Sequence, residues 1–328
     1  MKVLKKIALL GLVMIGSVSM LAGCGESKEK ILIYSAGEDY KIAYMQERLN
    51  ETFPEYDITI EYMSTGNMAA KILSEGTQTD CDIVHDMEYG YMAKLDAEKV
   101  FADLSTYDTS VYVEDVIQSD NYLVECRVGG AIIINTEVLE EKGLKLPTSY
   151  EDLLKPEYKG LISMPNPKSS GTGYIFLKGL VNAWGEEEAF KYFEKLTPNI
   201  LQYTSSGSGP VNALVQGEVA IGLGMTSQAV TQINEGAPLK IVFFEEGSPY
   251  TIYGQSIIAG KDSRECVSEV FNFIVNTLTF ETVEKFYPEK IYKDIDYKVE
   301  NYPENIIYSD MNNNGIQEKE RLLEKWVY

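Results

Sequence analysis

Four loops in this chain share one kind of chemistry. They are Ser35-Ala36-Gly37-Glu38, Ser64-Thr65-Gly66-Asn67, the run Pro165 to Gly173 with Ser169-Ser170-Gly171-Thr172 inside it, and Tyr203 to Pro210 with Ser205-Ser206-Gly207 inside it. Each joins small hydroxyl residues to glycine ahead of a helical pattern. At such a place free backbone N–H groups and the helix dipole favour an anion, and the hydroxyls can donate further hydrogen bonds. The same residues are also preferred helix caps, which explains any one loop alone. Four of them at matching points of a repeated strand-helix pattern favour a ligand. None has the spacing of a P-loop or of a dinucleotide fingerprint.

Other chemistries find less support. The only histidine is His85, which argues against histidine-based zinc or haem sites. A hydrolase would need that residue, and Ser206-Gly207-Ser208-Gly209 resembles a nucleophile elbow only superficially. No catalytic residue and no cofactor are expected, so the chain reads as a non-enzyme with hydrolysis through His85 as the competing class. Beyond Cys24, three cysteines remain, Cys81, Cys126 and Cys266, with no CxxC pair. Buried thiols are the preferred state, and a single disulfide among them stays open. Asp310 to Gly315 matches the first half of a calcium loop, but position 12 is Arg321 where a carboxylate is required. A polar turn before a closing helix explains it better, and no metal site is expected.

The elements that must position these loops alternate regularly. Ile31–Tyr34, Ile58–Tyr62 and Asp82–Val84 read as strands, separated by helical patterns through Ala43, Leu49 and Phe53 and from Asn67 to Leu73. A second unit follows. Gly129–Asn135, Leu161–Met164, Val219–Leu223, Ile241–Phe244 and Ile252–Ile258 read as strands. Helices are expected at 173–184, 186–196 and 211–216, and a tail helix over 266–278 is expected to pack on the first unit. The fold class is α/β, with two lobes that are each a mostly parallel sheet flanked by helices. Ligands of open α/β sheets collect beyond the carboxyl ends of the strands, which is where the four loops fall.

The N-terminus and the charge bound the setting. Lys2, Lys5 and Lys6 precede an apolar stretch, Ile7 to Ala22, too short for a stable membrane span. It ends in Leu21-Ala22-Gly23-Cys24, which resembles the bacterial lipobox. That resemblance implies cleavage before Cys24 and a diacylglyceryl group on its thiol; an ordinary secretory leader with a chance cysteine is the alternative. The expected organisation is a leader over 1–23 and a lipidated tether over 24–30. One lobe comprises 31–128 plus 252–328, and the other 129–251. The formal charge of −21 argues against nucleic acid as a partner, since phosphate backbones need a basic face.

The mature chain resembles the bacterial extracellular solute-binding proteins of ABC importers, in the branch with ferric-iron and phosphonate binders. The resemblance is carried by "ILIYSAGEDY", "STGNMAAKILSEG", "YKGLISMPNPKSSGTGY", "LTPNILQYTSSGSGPVNALVQGEVAIGLG" and "ERLLEKW". It implies a type II periplasmic-binding-protein-like fold whose lobes close over a small solute. It further implies a permease as partner, an extracytoplasmic lipid-anchored location, and a monomer. Ferric binders of this family generally carry a tyrosine pair where this chain reads Gly224-Met225-Thr226, and often a histidine where it reads Glu38-Asp39. The expected ligand is therefore a small organic oxyanion, a phosphonate or phosphate ester, with ferric iron as the alternative. Thr226, Asp86 and Tyr253 are expected beside the loop residues in the site. His85 and Glu88 would join it under the metal reading.

Overall fold

The apolar opening run becomes strand β1 (Lys30–Ser35) in a computed structural model that describes residues 28–328 except 114–115, 117–118, 288, 290 and 296–297. The leader and Cys24 lie outside the described residues. Side chains alternate across a strand, and β1 uses both faces. Ile31 and Ile33 enter one core with Met45 and Leu49, while Tyr34 enters another with Met68 and Ile72. Met45 and Leu49 belong to α1 (Asp39–Thr52), where four-residue spacing stacks them on one side. The helix ends before Pro54, whose ring disfavours a helical residue ahead of it. β2 (Asp57–Tyr62) and β3 (Ile83–Glu88) flank β1 in parallel, and each runs into a helix, α2 (Thr65–Glu75) and α3 (Tyr89–Ala97).

β4 (Leu123–Asn135) is long enough to serve two sheets. From Gly130 onward it borders the second sheet, and α4 (Thr136–Glu141) follows it. The second unit then runs β5 (Ile162–Pro165), α5 (Gly171–Trp184), α6 (Glu186–Leu196), β6 (Ile200–Thr204), α7 (Gly209–Val215), β7 (Ile221–Met225), α8 (Thr226–Asn234) and β8 (Leu239–Val242). No strand is expected from the sequence over β6, whose side chains are half exposed and lack a core pattern. β9 (Tyr250–Ile257) returns the chain to the first sheet. The strand order is β2-β1-β3-β9-β4-β7-β5-β6, with β8 on β4. The parallel parts are β2-β1-β3 and β7-β5-β6. β4 and β9 are antiparallel to each other because they carry the chain across and back.

After β9 come α9 (Glu265–Phe273), a π-helical turn over Ile274–Leu278, and α10 (Thr279–Phe286). Val267, Val270, Phe271 and Ile274 fill the core under β1, as expected of the tail. The closing helix α11 (Ile316–Lys325) behaves differently. Its Leu322, together with Trp326 just beyond its end, lies in the second sheet's core with Phe193, while Glu320 on the same helix meets Lys94 of α3, so the helix spans both units. Ion pairs fix the placement: Lys178 to Glu318 at 3.5 Å, Arg321 to Glu186 at 2.7 Å, and Lys325 to Glu186. The segment before it is a polar turn in which Asp310 Oδ1 accepts from the Asn312 N–H at 2.9 Å. Cys81, Cys126 and Cys266 are buried and unbridged.

Candidate functional site

The strand ends of both sheets face one narrow cleft, with about 30 Å³ of free space between its walls. One wall offers Glu38, Tyr62, Ser64, Thr65 and Asp86. The other offers Ser170, Gly171, Thr172, Gly207, Ser208 and Met225, while Val128, Tyr253 and Tyr287 close the back. The walls are in contact. A Cβ on Gly66 would stand 3.0 Å from the Lys168 carbonyl oxygen and 3.2 Å from Ser169 Cα. A Cβ on Gly171 would stand 2.9 Å from both Glu88 Cβ and the Tyr253 hydroxyl, and one on Gly207 would strike Thr172 Oγ1. Gly66 and Gly171 let the walls approach across the cleft, and Gly207 lets its loop sit against Thr172 on the same wall.

The hydroxyls divide by role. Ser170 caps α5, its Oγ accepting from the Gly173 N–H at 3.4 Å. Thr65 Oγ1 accepts from the Glu88 N–H at 3.1 Å, tying α2 to β3. Ser64 precedes α2 without capping it, and its buried Oγ has no protein partner. Thr172 lies in the first turn of α5, beside the Tyr253 phenol and against Gly207. Six expected residues sit outside the lining. Ser35 is buried on His85 Nδ1 at 3.1 Å, and the Gly37 N–H donates to its Oγ at 3.1 Å. Ser169 supports the loop facing Gly66, and Ser205 is exposed. Ser206 pairs with Ser208 at 2.9 Å between hydroxyl oxygens. Thr226 is buried just behind Met225 at the start of α8, its Oγ1 without a protein partner.

Charge at the site is more balanced than the composition suggests. The Lys41 ammonium is fully buried, 2.6 Å from Asp86 Oδ2 and 2.8 Å from Glu125 Oε1. Desolvation pulls its pKa down, but the two carboxylates more than offset this and hold it well above the ordinary lysine value. Asp86 reaches this position through a bulge in β3 against β9 and a positive φ of 56°, the kind of local kink that re-aims a side chain. Glu38 accepts from the Tyr287 hydroxyl at 2.7 Å. Burial, and then the Asp86 charge, push its carboxyl up to about 7. Burial, with Lys41 close by, holds His85 well below the usual imidazole value, so it stays neutral at pH 7. Its hydrogen-bond partner is Ser35, itself fully buried, and not the Ser206 of the hydrolase reading.

Among the described residues, one acidic group could hold a metal ion: Asp86, Glu125 and Cys126, with ligand atoms within 4.8 Å of one another. The Lys41 ammonium bonds two of its three members and supplies the positive charge there. Burial first, then Asp86 and Glu88, raise the Tyr253 phenol well above its ordinary value, which disfavours a tyrosinate ligand.

Sequence reasoning missed Lys41, Tyr62, Ser208, Met225, Val128 and Tyr287. Lys41 carried a readable signal, since it lies four and eight residues before Met45 and Leu49 on the buried stripe of α1. A lysine at such a position needs a carboxylate inside the fold.

The sequence profile of the bacterial extracellular solute-binding protein family matches residues 81–309. The chain belongs to this family. An uncharacterized protein of Haemophilus influenzae is 26% identical over 94% of this chain and 92% of its own length. The spermidine/putrescine-binding periplasmic protein of Escherichia coli is 24% identical over 57% of this chain and 53% of its own length. Among solved structures, the periplasmic binding protein AfuA of Actinobacillus pleuropneumoniae, with fructose-6-phosphate bound, has a TM-score of 0.80. It is 24% identical and covers 92% of this chain and 98% of that one. The type II two-lobe architecture expected from the sequence is the fold of these neighbours. The chain is thus a solute-binding protein of the extracellular class, and among the described residues no helix is long and apolar enough to cross a membrane.

Proposed function

We propose that the protein captures a small phosphate ester between two closing lobes and delivers it to an ABC-type importer. The supporting observation is the meeting of two long helix N-termini, α2 from one wall and α5 from the other, across a cleft edged by Ser64, Thr172 and Ser208. Buried hydroxyls and amide donors at helix starts suit a phosphate group. Glu38, Asp86 and the Tyr62 and Tyr253 rings stand ready for a hydroxyl-bearing organic part. Lys41 balances Asp86, and burial raises the Glu38 carboxyl so that it gives up its proton less readily, so the acidic wall tolerates a dianion. The sugar phosphate in AfuA supports the same reading.

Thermal unfolding with fructose-6-phosphate, glycerol-3-phosphate, an aminoalkyl phosphonate, fructose, spermidine and a ferric salt tests it. A phosphate ester at a hundred times its Kd should stabilise the fold by about 2.7 kcal/mol, and fructose should not. Stabilisation by spermidine alone would replace the ester with a cation. Ferric-dependent visible colour lost in Tyr253→Phe would favour the metal.

We further propose that Cys24 carries the lipid anchor. Cys24→Ala should move the protein from the detergent phase to the aqueous phase, since the two chains of a diacylglyceryl group are what hold it. Retention of the variant in the detergent phase would count against the anchor.

A further inference from the structure

We infer that Lys319 of α11 is a closure latch: it reaches from the second lobe to Glu88 of the first, and solute is retained only when the two meet. This rests on the reading of a cleft that closes on a solute. The ion pair is inside the protein, with side chains 3% and 0% exposed. Its two ends belong to different bodies. Glu88 ends β3 and caps α3, its Oε1 accepting from the Gly90 N–H and from Thr251 Oγ1, each at 3.1 Å. That oxygen is satisfied within the first lobe, which leaves Oε2 for Lys319. Lys319 is carried by a helix that Leu322, Trp326 and the pairs to Glu186 and Lys178 hold in the second lobe.

The ammonium lies between a tyrosine of each lobe, 4.0 Å from the Tyr91 ring centre and 4.4 Å from that of Tyr174. Gly90 keeps its path clear, since a Cβ there would come within 2.9 Å of Lys319 Cδ. At the rim, Lys94 of α3 meets Glu320 of α11 at 2.5 Å. When the lobes part, Glu88 and Lys319 are hydrated separately. When they close, both lose water, and the loss is compensated only if both are charged and paired. Burial holds the Lys319 pKa below its ordinary value, with Glu88 opposing this shift. The latch therefore makes closure conditional on its partner without touching the solute, because neither residue lines the cleft.

The test uses the wild type, Glu88→Gln, Lys319→Met and the double variant. Each single change leaves one buried charge alone, so fructose-6-phosphate binding should weaken by about ten- to a hundredfold. The double variant, with neither charge, should recover most of the loss. Thermal unfolding of the four solute-free proteins separates the two roles, because a purely structural pair would lower their stability in the same cycle and a latch would leave it nearly unchanged. A further readout also needs no solute: brief acetylation followed by peptide mass spectrometry should find Lys319 nearly as reactive as the exposed Lys325 in the solute-free wild type, where the lobes part and the pair opens, whereas a permanent structural pair would keep it protected. If fructose-6-phosphate binds none of the four proteins, the ligand assignment fails and the acetylation pattern still decides the latch. Protection of Lys319 in the solute-free wild type, as in a permanently buried pair, would overturn the latch, as would a double variant no better than the single ones.

Discussion

Gly66→Val should abolish solute capture while leaving the chain as stable as before. Gly66 is the second residue of α2, where valine is at least as helix-compatible as glycine, so the open lobe loses nothing by the change. In the closed form the new Cβ would face backbone, the Lys168 carbonyl oxygen at 3.0 Å and Ser169 Cα at 3.2 Å. Its branching methyl groups would reach further still. Backbone across a cleft cannot rotate away as a side-chain tip can, so the walls stay apart. Contacts from the far wall, including the start of α5, are then lost to the solute together. Affinity should fall by about a hundredfold or more, the scale set by a few kcal/mol of differential binding to the closed state. Gly66→Ala should do much less, because a few tenths of an ångström would relieve its contacts. Calorimetric titration gives the affinities, and thermal unfolding of the solute-free proteins gives the stabilities. Wild-type affinity in Gly66→Val would mean that capture does not need closure.

What could be read from the sequence was local. β1 and α1 were legible because alternation and a four-residue stripe lie within a dozen neighbouring residues. The hydroxyl-glycine loops were legible for the same reason, and the fold brings Ser64, Thr65, Ser170, Gly171, Thr172 and Gly207 to one cleft. The rest depends on distant partners. Tyr287 meets Glu38 across 249 positions of sequence, and no local pattern announces that. Asp86 reaches the cleft through a bulge whose register is set by β9. The docking of α11 is decided by Phe193 and Glu186, so its amphipathic pattern foretold a helix but not which lobe would hold it. Lys41 and Lys319 share a signal that was available, a lysine in line with buried apolar residues of its own helix. In both cases the carboxylate that answers it lies in β3, Asp86 for one and Glu88 for the other.

Lys41→Met should be the most destabilising single change at this site. It removes the cation between Asp86 and Glu125 and leaves two buried carboxylates facing each other, with Glu125 Oε2 already lacking a partner. Breaking a buried pair in this way costs about 3–5 kcal/mol, a large part of the stability of an ordinary domain. The pH dependence identifies the cause. Without Lys41, which now opposes the burial that raises the Glu125 carboxyl, the folded-state pKa of Glu125 should rise further above its unfolded one. Between the ordinary carboxylate range and that raised value, the folded variant binds more protons than the unfolded chain. Its stability therefore rises as pH falls through that window. The deficit against wild type should be greatest near pH 8 and shrink toward pH 5. Lys41→Met/Glu125→Gln, which removes one of the two charges, should regain part of the loss at pH 8 and show a weaker pH dependence. Solute binding should not recover with it, because Asp86 at the cleft edge would still lack its counter-ion and repel a phosphate group. Denaturant unfolding at several pH values measures all of this. A deficit that is small at pH 8, or that grows on acidification, would show that Lys41 is not the charge holding this wall together.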